Sequence, residues 1–168
     1  MDFEVWPEAI ELGRLFAEQG YELALVGGPV RDLLLHRKSH DLDFCSSARP
    51  EQFEPILRRW GHDGFWDMGR KFGTLGAMRR RPDGTEVKVE VTTYRSDMYD
   101  PDSRKPEVNY GDTLEGDLSR RDFTVNAMAL RVPDLQFVDP FGGASDLSKG
   151  VLRTPVAPRQ SFDDDPLR

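Results

Sequence analysis

Residues 25–44 read LVGGPVRDLLLHRKSHDLDF, and their order decides the fold. Tyr21 to Val26 form an apolar-rich run that predicts a strand. Gly27 and Gly28 break it. Pro29 then stands where the first turn of a helix tolerates proline, and VRDLLL continues as a short helix. HDLDFC at 40–45 alternates in polarity and predicts a second strand. The unit is therefore strand, glycine turn, helix, strand, which places this stretch in an α/β domain.

Two chemical features sit inside that unit. Asp41 and Asp43 are separated by one residue, so a strand points both carboxylates to one face. Such neighbours repel unless a cation lies between them, and Mg²⁺ favours one or two carboxylates together with phosphate oxygens. An isolated Asp-x-Asp also occurs on an ordinary solvated strand. The second feature is Gly27-Gly28, where the missing side chains let a phosphate approach the backbone. Arg31, one turn on, can add a fork of donors to the same anion. Read without ligands, the same turn is a tight structural bend with a surface arginine. No Gly-Lys-Ser/Thr follows, so this is not a P-loop, and the third glycine of a dinucleotide fingerprint is missing.

Outward from this stretch, EAIELGRLFAEQ at 8–19 predicts a helix with Ile10, Leu12, Leu15 and Phe16 near helical spacing, ended by Gly20. Ala48 to Trp60 predicts another. Strands are expected at 73–78 and 86–93, joined by the turn Arg81-Pro82-Asp83-Gly84. In EVKVEV, Glu86, Lys88 and Glu90 share one strand face. Glu90 is thereby a third candidate acid, although a solvated face explains the pattern equally well. Residues 95–117 are rich in Asp, Gly and Pro and read as a long loop, of the kind that inside a compact domain is functional or mobile. A helical turn and a strand are expected in SRRDFTVNAMALRV. A turn, a short helix and a closing strand are expected in FVDPFGGASDLSKGVLRTP. SFDDDPLR at the end reads as the opening of a further helix, which implies a chain cut from a longer protein.

The 168 residues suit one domain, with a net charge of −7. That balance argues against this chain gripping a long nucleic acid by itself. One cysteine, Cys45, excludes an intrachain disulfide. No secretory signal and no membrane-length apolar run is present, so a cytoplasmic setting is expected.

Four segments, in order, resemble one family. LVGGPVRDLLLHRKSHDLDF at 25–44 is similar to the opening signature of class II CCA-adding enzymes and bacterial poly(A) polymerases, members of the DNA polymerase β-like nucleotidyltransferase superfamily. EVTTYR at 90–95 is similar to the strand carrying the third acid, and DLSRRDFTVNAMAL at 117–130 to the ribose-recognising segment. DDDPLR at 163–168 resembles the start of the nucleobase-reading segment. The resemblance implies a polymerase β-like head: a twisted mixed sheet of about five strands with helices packed on one face. It spans residues 1–160, followed by the start of a neck helix at 161–168. It implies metal-dependent, template-independent transfer of nucleotides from CTP and ATP to an RNA 3′ end, foremost CCA addition to tRNA. A poly(A) polymerase head, or a minimal nucleotidyltransferase acting on a non-RNA acceptor, is the alternative. Gly27, Gly28 and Arg31 would hold the triphosphate. Asp41 and Asp43 would bind Mg²⁺, with Glu90 assisting catalysis. Arg121 would contact the nucleotide and Asp122 the ribose, while Asp165 and Arg168 would read the base. RNA would be held mostly by regions beyond this chain. Arg120-Arg121-Asp122 can equally form a surface salt-bridged turn, and Asp163 to Asp165 an acidic helix start. Two positions depart from the family pattern: Asp164 replaces a usual glutamate, and His36 replaces a glycine that commonly closes the helix.

Overall fold

The computed structural model describes residues 5–96 and 110–155. Helix α1 spans Pro7–Glu18 and strand β1 Leu23–Val26. They are followed by α2 (Gly28–Leu34), β2 (Asp41–Ser46) and α3 (Pro50–Trp60). A short β3 (Gly64–Trp66) leads through a 3-10 turn at Arg70–Phe72 into β4 (Thr74–Arg80) and β5 (Glu86–Thr93). The chain continues with α4 (Leu114–Ser119), a 3-10 turn at Thr124–Asn126, β6 (Ala129–Arg131), β7 (Gln136–Val138) and α5 (Gly143–Lys149).

The described strands form one sheet in the order β3-β4-β5-β2-β1-β6-β7. Only β2 and β5 run parallel; every other neighbouring pair is antiparallel. The expected mixed α/β sheet is thus present, with seven strands rather than about five. β6 falls within the strand expected in SRRDFTVNAMALRV; the strands not expected, β3 and β7, are three residues long, too short to leave a periodic signature. The expected closing strand near Val151 is absent. That segment is held by the Thr124 amide donating to the Arg153 carbonyl at 2.7 Å, and the strand lies earlier, at Gln136–Val138.

The helices do not all lie on one face. Leu23 and Leu25 of β1 belong to the larger core with Leu12, Phe16, Phe53, Leu57 and Trp60, where the Phe16 and Phe53 rings lie 5.9 Å apart. Ala24 and Val26 point the other way and pack with Cys45, Leu114 and Leu118, so α4 covers the opposite face. All four residues of β1 are buried. A central strand apolar on both faces requires cover on both.

Helix α1 sits close against the sheet. A Cβ at Gly13 would stand 2.7 Å from the Val132 carbonyl carbon. At the other end, the Trp60 indole donates to the Glu8 carbonyl at 3.1 Å. Arg81 holds the Glu8 carboxylate through two hydrogen bonds, of 2.5 and 2.9 Å. These bonds keep the Glu8 carboxyl below its ordinary value of 4.5, against the opposing effect of burial. The unfolded chain therefore binds this proton more tightly than the folded one. The stabilisation is complete above 4.5 and is lost as pH falls through the lowered folded value. Glu8→Gln is expected to cost about 1–3 kcal/mol at neutral pH. In urea titrations the gap from the parent should close as the solution is acidified. A gap that stays constant with pH would show that the pair contributes nothing by its charge.

Candidate functional site

Strand register brings the acids together. Asp43 is the direct partner of Glu90 across the parallel β2–β5 pair, and Asp41 that of Lys88. Asp41, Asp43 and Cys45 alternate onto the face that α4 covers farther along. Cys45 is buried beneath that cover, whereas Asp41, Asp43 and Glu90 are exposed. A groove of about 200 Å³ opens there, lined by Asp43, Glu90, Thr92, Arg95, Arg120 and Arg121 together with Val26, Phe44 and Asp117. Asp41 lies one pleat outside it on the same face.

Asp43 reaches solvent at its tip, but the sheet beneath withdraws water from it. That desolvation, with the charges of Glu90 and Asp41 added, raises its proton affinity against the opposing pull of Arg121. Among the described residues no three His, Cys, Asp or Glu side chains form a ready-made metal cage. The donor set nevertheless suits a hard divalent ion: two carboxylates share a strand face, a third stands in register, and their mutual repulsion is what a cation relieves.

The glycine turn adjoins this groove. Gly27 caps α2 with φ 71°, the left-handed region where a side chain is strained. A Cβ at Gly27 would lie 3.6 Å from the Arg121 Nη1, and one at Gly28 would lie 3.5 Å from the Arg31 Nη2. Two guanidinium groups therefore flank the bare backbone. Arg31 Nη1 donates to Asn126 Oδ1 at 3.1 Å, and Asn126 Nδ2 donates to Asp122 Oδ1 at 3.1 Å. Arg31 of α2 and Asp122 of the RRDFTVN segment are thus joined in one hydrogen-bonded chain, with Asn126 as its link; Arg121 is held separately, by Asp117. Asp165, Arg168 and the neck-helix start lie outside the described residues, as does most of the 95–117 loop. Within the described residues the loop reading is corrected at its end: Leu114–Asp117 form the first part of α4, whose N-cap Thr113 accepts from the Gly116 amide.

Asp117 is a component that sequence reasoning passed over. It is buried; its Oδ1 accepts from Arg121 at 3.0 Å and its Oδ2 from the Arg95 amide at 3.0 Å. The available signal was its position four residues before Arg121, a spacing that aligns side chains along a helix face. Arg95 is a second. Burial, reinforced by the nearby Arg120, lowers its affinity for its proton, and the positive charge gathered there favours an anion.

A strand-borne carboxylate pair, a third acid in register and an arginine-flanked glycine turn, all on one mixed sheet, define an α/β domain with acids and arginines gathered at one groove. Comparison with known proteins makes the assignment particular. Residues 23–153 match the family described as the poly A polymerase head domain. A CCA-adding enzyme of Lactobacillus gasseri is 37% identical over 166 residues, covering 98% of this chain and 39% of the relative. The crystal structure of the Bacillus stearothermophilus CCA-adding enzyme in complex with CTP superimposes with a TM-score of 0.77 at 34% identity, covering 97% of this chain and 37% of that one. The Thermotoga maritima CCA-adding enzyme complexed with tRNA gives 0.72 at 31%, covering 96% and 36%. The chain belongs to the poly(A) polymerase head-domain family, and it spans about two-fifths of the length of the curated relatives it matches. Among the described residues no helix is long and apolar enough to cross a membrane.

Proposed function

We propose that this chain is the head of a template-independent RNA nucleotidyltransferase that adds CMP and AMP units, from CTP and ATP, to the 3′ end of tRNA. The observation that carries the reading is the pairing of Asp43 with Glu90 in the groove that Arg121 also lines, beside Gly27 and Gly28. Gly28 and Arg31 hold the β- and γ-phosphates, and Arg121 approaches the nucleotide from across Gly27. Asp122 accepts from a ribose hydroxyl, a role supported by the hydrogen bond that Asn126 donates to it. Asp41 and Asp43 hold Mg²⁺, which when bound supplies charge neutralisation at the reacting phosphate and a lowered pKa for the attacking hydroxyl. The acceptor 3′ oxygen bonds to the α-phosphorus as the α–β bridging bond breaks. Pyrophosphate leaves toward Arg31, and the hydroxyl proton passes to a Glu90 carboxylate oxygen. Base selection by Asp165 and Arg168 belongs to the same reading, as does a cytoplasmic setting.

The test uses the full-length protein that carries this chain. It is given tRNA lacking its terminal CCA, with each nucleoside triphosphate separately and then together. Two CMP units followed by one AMP, and no further growth, is the expected product. An adenylate run from ATP alone would replace this reading with poly(A) addition. Transfer only to a non-RNA acceptor would remove it.

A further inference from the structure

We propose that Trp66 positions the acceptor RNA by stacking against its 3′-terminal base; this rests on the nucleotidyl-transfer reading above. In an in-line displacement the entering oxygen and the leaving pyrophosphate lie on opposite sides of phosphorus. Arg31 and Gly28 place the pyrophosphate on the β1–α2 side of the acids. The 3′ oxygen therefore enters over Glu90, from the β4–β3 side.

On that side the register sets one row across the sheet: Asp43 beside Glu90, Glu90 beside Gly76, Gly76 beside Trp66. All four positions share one face. Gly76 has no side chain to fill its place, and the indole of Trp66 occupies it; a Cβ there would stand 2.0 Å from Nε1. Trp66 is half-buried, whereas Trp6 and Trp60 are fully enclosed. An accessible indole thus lies one strand from the third acid, on the path of the attacking strand.

The segment that follows extends the same surface. Met68 and Phe72 are among the few exposed large apolar side chains, at 83% and 49% exposure. Lys71 Nζ lies 5.0 Å from the Phe72 ring, and Arg95, which lines the groove, donates to the Phe72 carbonyl at 2.7 Å. Aromatic faces interleaved with cations are the surface a single-stranded nucleic acid requires. In a chain of net charge −7, these cations are not part of a generally basic exterior.

A merely structural role, an aromatic covering a glycine at a sheet edge, makes different predictions. In the full-length protein, Trp66→Ala should raise the KM for acceptor RNA about 5- to 100-fold, with the KM for CTP unchanged. Trp66→Phe should retain most of the acceptor affinity. RNA ending in two cytidines should quench tryptophan emission of the parent more than that of Trp66→Phe. An unchanged RNA KM in Trp66→Ala overturns the proposal. So does an equal rise in both KM values in Trp66→Ala, or quenching identical in parent and Trp66→Phe. Should the parent add no nucleotide to any RNA while its Trp66-dependent quenching persists, the activity reading falls and the platform stands. Should the parent transfer normally while Trp66→Ala is unaffected, the reverse holds.

Discussion

Asp43→Ala in the full-length protein is expected to lower nucleotide transfer about a thousandfold or more, and Asp41→Ala similarly, while thermal unfolding of the domain barely moves. Both side chains are exposed, and neither supports another element through a core contact. Removing them deletes charge rather than packing, and surface changes of that kind stay within about 0.5 kcal/mol. Asp43→Asn sharpens the point. The folded protein binds the Asp43 proton more tightly than the unfolded chain does, because burial and the charges of Glu90 and Asp41 oppose ionisation. Ionising it as pH rises from the ordinary value of 3.8 through the raised one therefore costs stability. After solvent screening that cost is a few tenths of a kcal/mol. The Asn variant should match the parent in stability at low pH and slightly exceed it at neutral pH, while losing transfer. An inactive variant that is also markedly less stable would point to a structural role for the carboxylate. A variant with near-parental incorporation would remove Asp43 from the metal site.

The same asymmetry between charge and packing explains how much of the molecule was legible in its sequence. The strand–glycine–helix–strand unit was readable because each part carries a local signal: β1 is apolar throughout, Gly27 adopts a conformation that excludes other residues, and Asp41 and Asp43 alternate with buried Leu42 and Phe44. β1, β2, β4, β5, the strand that holds β6 and the long helices all followed from local patterns of apolar and polar residues. β3 and β7 did not; β3 is fixed by its pairing to β4 rather than by its own residues. Asp117 was missed for a related reason. Its partners, the Arg95 amide and Arg121, are brought to it by the path of the chain around β5 and α4. His36, noted in the sequence as standing where a glycine is usual, adopts φ 56° just after α2. The backbone there keeps the left-handed bend that glycine would accept without strain. Of the site, the acids and the glycine turn were visible. The link through Asn126 was not, because the two groups it joins, Arg31 and Asp122, are brought together by the fold and no local pattern reveals them.

That link makes a residue far from the acids decisive. Gly143→Ala is expected to destabilise the protein by about 3 kcal/mol or more and, in whatever fraction folds, to raise the KM for nucleotide. A Cβ at Gly143 would stand 2.1 Å from the Thr124 carbonyl oxygen and 2.8 Å from its carbon. These are backbone atoms, which cannot turn aside as a flexible side chain can. Helix α5 is also fixed at that end. Asp139 accepts from the Gly143 amide at 2.6 Å and from the Ala144 amide at 3.0 Å, and Thr124 Oγ1 donates to the buried Asp146 at 2.6 Å. The extra methyl must therefore push apart α5 and the turn at Thr124–Asn126, and Asn126 moves with that turn. Arg31 and Asp122 then lose their common partner. The neighbouring glycine is the control. Gly142 has open space where a Cβ would go, and a φ of 72°, so Gly142→Ala carries backbone strain of about 1 kcal/mol without displacing the turn. The expected result is a small loss of stability with unchanged nucleotide KM for Gly142→Ala, and a large loss with a raised KM for Gly143→Ala. Equal effects from the two would mean that the position of the Thr124–Asn126 turn does not govern nucleotide binding, and that Asn126 only fills space between Arg31 and Asp122.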